Sequence, residues 1–399
     1  MSDTTTGEGE PTADKPVAYD PFQDSLGPLS GLDEPGQTLS FDTTLRPSSF
    51  LGLSLKNGLL NIVTLTLWRF WGKTEVRRRV WQGVRLNGDA FEYTGRGIEL
   101  FVGFLLALLV LGLPFLLLVF GIQFMGPLAA VLLILPLYLF MFWLWGFGVF
   151  TAFRYMASRT TWRGVRFRLG GSATAYGFKY IGAVFLSGIT MGWYWPTAER
   201  NLAQSLWDEV RFGNRRVRFR MERAEKEGVY GAYALGWFLS ALPYLGLIAL
   251  FVAIAHFAGG GVTPQVASAG PAPSPQSMEI AQVILTYLAI LVLSPLVLLI
   301  WAPYQAAMLR SIAAGVTIDS AGFKLNVKAI SLWWLTVSNL AAILFTLGFL
   351  MPWAQARTAK YMVERLTSAG TARLDEAQQT GTGPGSGEGL ADAFGFSLI

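Results

Sequence analysis

Few side chains in this chain can do chemistry, and the shortage is informative. Its 399 residues include no cysteine and a single histidine, His256. Disulfides, thiolate metal sites and cysteine nucleophiles are excluded, and one imidazole does not make a metal site. No Asp or Glu stands well inside an apolar stretch; Glu99 and Glu279 mark stretch edges, where a carboxylate is ordinarily solvated. Proton relays and cation sites within membranes depend on such buried groups. Gly259–Gly261 lacks a following Lys-Ser/Thr, so it is no phosphate-binding loop. A Ser or Thr nucleophile would have to draw its base from His256 or a lysine. The expectation is a non-enzyme with no catalytic residue, no metal and no cofactor.

What remains is arginine, interleaved with tryptophan. Arg77, Arg78 and Arg79 follow Trp68 and Trp71, and Arg215, Arg216 and Arg218 follow Trp193, Trp195 and Trp207. Tryptophan favours the headgroup level, where basic residues meet anionic lipids at about 1 kcal/mol each. These six arginines are the candidate headgroup contacts. The expected partners are anionic membrane lipids or a membrane protein. Nucleic acid is not expected, because the net charge of +5 is accounted for by membrane topology.

The elements that must position these groups lie in a membrane. Apolar residues make up 52% of the chain and charged residues only 14%, about half the usual charged fraction. Leu100–Phe124, Leu128–Phe153, Val229–Phe257 and Ile280–Leu309 have uncharged cores long enough to cross, which takes about 20 helical residues. Three more apolar segments, Leu51–Phe70, Ala175–Trp195 and Ala329–Trp353, each lead into a basic helix. Basic residues mark the cytoplasmic side. They crowd 69–97, 154–174 and 196–230, whereas Gly121–Pro127 and Ala258–Gln276 carry no charge. Both facts are satisfied by four spans in two hairpins, three re-entrant segments, and both termini in the cytoplasm.

The three shorter segments share one motif. Thr64–Trp71, Thr190–Thr197 and Thr346–Trp353 each join an apolar run, a turn and a basic helix. The second and third align at an offset of 156, pairing Thr190 with Thr346, Gly192 with Gly348 and Pro196 with Pro352. The first aligns with the second at 126, and its turn ends on Trp71 as the third ends on Trp353. Stretches with period-two patterning flank the motifs, at 85–93, 162–168, 211–220 and 316–324, and read as short strands. The expected fold class is an all-α polytopic membrane protein of three internal repeats, its short strands at most forming a small cytoplasmic sheet. The domain plan is a disordered acidic tail at 1–38, a membrane domain at 39–370 and a flexible tail at 371–399. Within the membrane domain the repeats fall at 39–153, 162–309 and 316–370.

At these residues the chain resembles the YjgN-like family of bacterial inner-membrane proteins, a domain of unknown function. The resemblance rests on Thr64–Thr74 with Val76-Arg-Arg78, Gly88–Gly95, Trp162–Phe167 and Thr346–Trp353 with Tyr361. It departs from the family pattern at Thr66, usually Gly, and Thr197, where Trp is common. The resemblance implies location and architecture and brings no activity. A rival reading is a channel or uncoupled transporter lined by Asn61, Thr190, Asn339 and Thr346, since broken helices often enclose a midplane site.

Overall fold

Tight turns begin the architecture. Asn87-Gly88 and Arg163-Gly164 hold both residues at positive φ, 50° and 86°, 47° and 77°, the backbone that joins two antiparallel strands directly. The computed structural model describes residues 36–242, 245, 246, 248, 249, 252, 253 and 275–379. Expectations for the first 35 residues, His256, Gly259–Gly261, the outer loop to residue 274, the side chain of Glu279 and the tail beyond 379 lie outside the described residues.

The described residues form twelve strands: β1 (Gln37–Thr38), β2 (Phe41–Thr43), β3 (Val84–Leu86), β4 (Asp89–Tyr93), β5 (Thr160–Trp162), β6 (Val165–Leu169), β7 (Val210–Phe212), β8 (Arg215–Phe219), β9 (Val316–Ile318), β10 (Ala321–Leu325), β11 (Leu366–Ala369) and β12 (Thr371–Ala372). Strands β2 to β11 pair in sequence order as one ten-stranded antiparallel sheet, and β1 pairs with β12. The sheet curls nearly closed: Gln37 faces Ala372, the Ser368 hydroxyl donates to the Leu39 carbonyl, and the Phe41 and Phe323 rings meet at 6.0 Å. This overturns the expected all-α class with only a small sheet. Each stretch between helical excursions supplies one strand hairpin, where period-two patterning reads a single short strand running through the turn. The pairings that join them link residues tens of positions apart, such as Phe91 with Trp162 and Val217 with Ile318, which no local pattern contains.

The concave face of the sheet holds the main core. Trp162 and Phe212 are each 1% exposed, with rings 5.8 Å apart, and Phe167 joins Phe212 at 4.8 Å. The chain after β12 packs onto the same core through Leu374 and Ala377. Asp375 pairs with Arg163, Glu376 with Arg215 at 2.6 Å, and the Gln378 N–H donates to Asn214 Oδ1 at 3.2 Å. The packed chain therefore runs from Gln37 to Ala377 rather than over 39–370. Residues expected to begin a flexible tail are fastened because their acids find arginines at the strand turns.

The helices are α1 (Leu51–Val63), α2 (Arg69–Gly83), α3 (Gly97–Ile122, with a π-helical turn at Leu108–Gly112), α4 (Pro127–Arg159), α5 (Ala173–Ile189), α6 (Trp195–Trp207), α7 (Met221–Ala224), α8 (Val229–Leu239), α9 (Pro275–Gly315), α10 (Ala329–Phe345) and α11 (Met351–Val363). Among the described residues three helical segments are long and apolar enough to cross a membrane: α3, α4 and Leu293–Gly315 of α9. Every helical excursion leaves one strand and returns to the strand paired with it: β2 to β3, β4 to β5, β6 to β7, β8 to β9 and β10 to β11. The excursions alternate short (α1–α2, α5–α6, α10–α11) and long. Element bounds recur at a spacing of 156 residues, from α5 to α10 and from α6 to α11.

Candidate functional site

The turns of the three short hairpins are built alike from their threonines. The Thr64 hydroxyl donates to the Leu60 carbonyl at 2.7 Å and accepts the Trp68 N–H at 2.9 Å. Thr190 does the same with Leu186 and Tyr194 at 2.9 and 3.0 Å, and Thr346 with Ala342 and Leu350 at 2.6 and 3.2 Å. Each hydroxyl thus closes the first helix and satisfies an orphan N–H at the start of the second. Two residues at positive φ follow: Leu65 and Thr66, Met191 and Gly192, Leu347 and Gly348. Thr66 adopts φ +69° where the others place glycine at +93° and +88°, an unfavourable setting for a β-branched residue. Pro196 and Pro352 occupy the first turns of α6 and α11, where the missing N–H costs nothing. Trp71 stacks on Trp68 at 6.1 Å, and Trp353 receives the Arg357 guanidinium at 5.2 Å. The crests are apolar and bare, with Leu65 84%, Met191 74% and Leu347 89% exposed.

The six candidate headgroup arginines separate into different environments. Arg77 is only 2% exposed, with its guanidinium 3.4 Å from the Tyr93 hydroxyl, so it cannot meet a headgroup. Helical periodicity explains the difference: 77 lies on the inward face of α2 with Phe70, Thr74 and Val80, while Arg78 and Arg79 point outward. Arg78 donates to the Gly95 carbonyl at 3.4 Å, and Arg79 lies over the Phe50 ring at 5.3 Å. Arg215 is held by Glu376 and Asp319. Arg216 and Arg218 are exposed on the convex face of β8, alternating with the buried Val217 and Phe219.

Three of the four polar groups of the channel reading are engaged within their own hairpins. Thr190 and Thr346 are used as described, and Asn339 bonds Thr358 and Arg357 at 3.0 Å each. The Asn61 side-chain oxygen is buried without a hydrogen-bond partner among the described residues.

Sequence reasoning missed Glu199. It stands two residues after the second motif, in a helix of mixed polarity, so no apolar run flags it. In the fold it lies between α6 and α9, accepting a hydrogen bond from the Tyr304 hydroxyl beside the buried Arg200. Equally unforeseen is a row of arginines across the convex face: Arg168 opposes Arg211, and Arg211 opposes Arg216. Among the described residues no cluster of His, Cys, Asp and Glu could hold a metal.

Apolar helices of spanning length, short hairpins with exposed apolar crests, and a curled antiparallel sheet define a membrane-associated protein of mixed helix and strand. Within that class, the chain belongs to the family described as bacterial protein of unknown function (DUF898), whose model matches residues 38–393, and this is the YjgN-like family. No curated protein and no solved structure matches the chain.

Proposed function

We propose that this is a non-enzymatic protein of the bacterial inner membrane that gathers anionic lipids around three half-inserted hairpins. Its chain is a threefold internal repeat with both termini in the cytoplasm. The observation that carries this reading is the bare apolar crest of each short hairpin standing above fixed polar groups. From Lys56, paired with Glu75 at 2.6 Å, to Thr64 is about 12 Å of helix at 1.5 Å per residue. From Lys179, bonded to Ser205, to Thr190 is about 17 Å, and from Ser338, bonded to Arg357, to Thr346 about 12 Å. The hydrocarbon core is about 30 Å thick, so each crest enters one leaflet and the chain turns back. Buried backbone polar groups at the turns are satisfied by the threonines, as membrane depth requires. Exposed Arg78 and Arg79, with Lys56 and Lys179, then lie where phosphate headgroups meet the protein.

Native mass spectrometry of the protein from nanodiscs containing phosphatidylglycerol and cardiolipin tests the reading. Retained anionic lipid, lost in Arg78→Glu/Arg79→Glu, is the expected result. Equal retention by both proteins would overturn it.

A further inference from the structure

The convex face of β8 carries charge that the membrane reading does not use. Arg216, Arg218 and Arg220 alternate along it, about 7 Å apart by strand geometry, and none forms a salt bridge among the described residues. With Asn214 and Thr317 they line a cavity of about 360 Å³, within the range of small-ligand sites. The single acid in its wall, Asp319, is already taken by Arg215 at 3.8 Å and the Arg373 N–H at 3.0 Å. Like charges set directly across strands are destabilising, yet Arg211 and Arg216 face each other. Such an arrangement costs stability in the empty protein and gains it back when an anion binds.

The geometry points to a binding site for a soluble phosphoanion with two or more phosphate groups, held by Arg216, Arg218 and Arg220. Guanidinium forks match phosphate oxygens in pairs, and three long side chains lining one cavity offer more forks than a single phosphate uses. A lipid headgroup presents the same chemistry, and the lipid-retention arm of the experiment separates the two sources.

Inorganic pyrophosphate is the probe, titrated calorimetrically into the full chain in nanodiscs of zwitterionic lipid. Saturable one-to-one binding that weakens with added salt is expected, with affinity falling at least about tenfold in Arg216→Gln/Arg218→Gln. That variant removes exposed side chains and leaves the core intact, which circular dichroism and unchanged anionic-lipid retention would verify. Arg78→Gln/Arg79→Gln should leave pyrophosphate binding untouched. Absent binding, or binding indifferent to Arg216 and Arg218, would overturn the site. Loss of lipid retention in Arg216→Gln/Arg218→Gln would also overturn it, by showing a lipid in the cavity.

Discussion

Three equivalent turns offer a controlled comparison, because their second positive-φ residue meets different surroundings. Placing a side chain at such a backbone costs about 1–2 kcal/mol. A Cβ at Gly348 would meet nothing within 4 Å, so Gly348→Ala should cost only that conformational amount. A Cβ at Gly192 would stand 2.9 Å from the Tyr233 hydroxyl, which donates to the Gly192 carbonyl at 2.8 Å. Gly192→Ala must therefore also displace that hydrogen bond, worth about 1 kcal/mol, for a total of about 2–3 kcal/mol. Thr66→Gly runs the other way. It relieves about 1–2 kcal/mol of backbone strain and concedes about 0.5–1 kcal/mol of chain entropy, a net gain of about 0.5–1 kcal/mol. Reversible unfolding in mixed micelles, titrated with SDS, measures all three. If Gly348→Ala costs as much as Gly192→Ala, or if Thr66→Gly destabilises, the account of these turns is wrong.

Other substitutions probe separate parts of the structure. Thr190→Val removes the acceptor for the Tyr194 N–H and should cost about 1 kcal/mol in the same titration, while Thr190→Ser should be nearly neutral. Trp162→Ala empties the centre of the sheet core and should cost about 3–5 kcal/mol, read as a lowered unfolding midpoint. Gly213→Ala places a Cβ 2.4 Å from the Gln378 carbonyl oxygen at φ +54°. It should release the segment after β12, seen as new cleavage between residues 373 and 379 in limited proteolysis.

Much of the local structure is legible in the residues. Period-two patterning places strand at 85–93 but runs through the Asn87-Gly88 turn that makes it a hairpin, and the spacing from Thr190 to Thr346 anticipates identical helix bounds and matching hydrogen bonds. What escapes is long-range. The pairing of β1 with β12 draws on residues 37–38 and 371–372, whose neighbours are rich in Gly, Thr and Asp and resemble tails. Leu374 and Ala377 are two apolar residues among acids, too few to signal burial. Arg77 sits in a run of three identical side chains, and only its helical phase, shared with Val80 and Phe70, separates a buried arginine from exposed ones. Glu199 is hidden for a different reason: its burial comes from α9, more than a hundred residues away, through Tyr304.

The pairing of β1 with β12 also fixes an order of assembly. Each excursion is bracketed by strands that pair as soon as the second is made, so hairpins can be settled one at a time as the chain emerges. Only the last contact joins residue 37 to residue 372, and it needs nearly the whole polypeptide. A chain that stops early would hold its membrane elements yet leave two strand edges open, the form most exposed to wrong pairing. Closure of the sheet therefore serves as a completeness check, made after synthesis reaches the strand at Thr371.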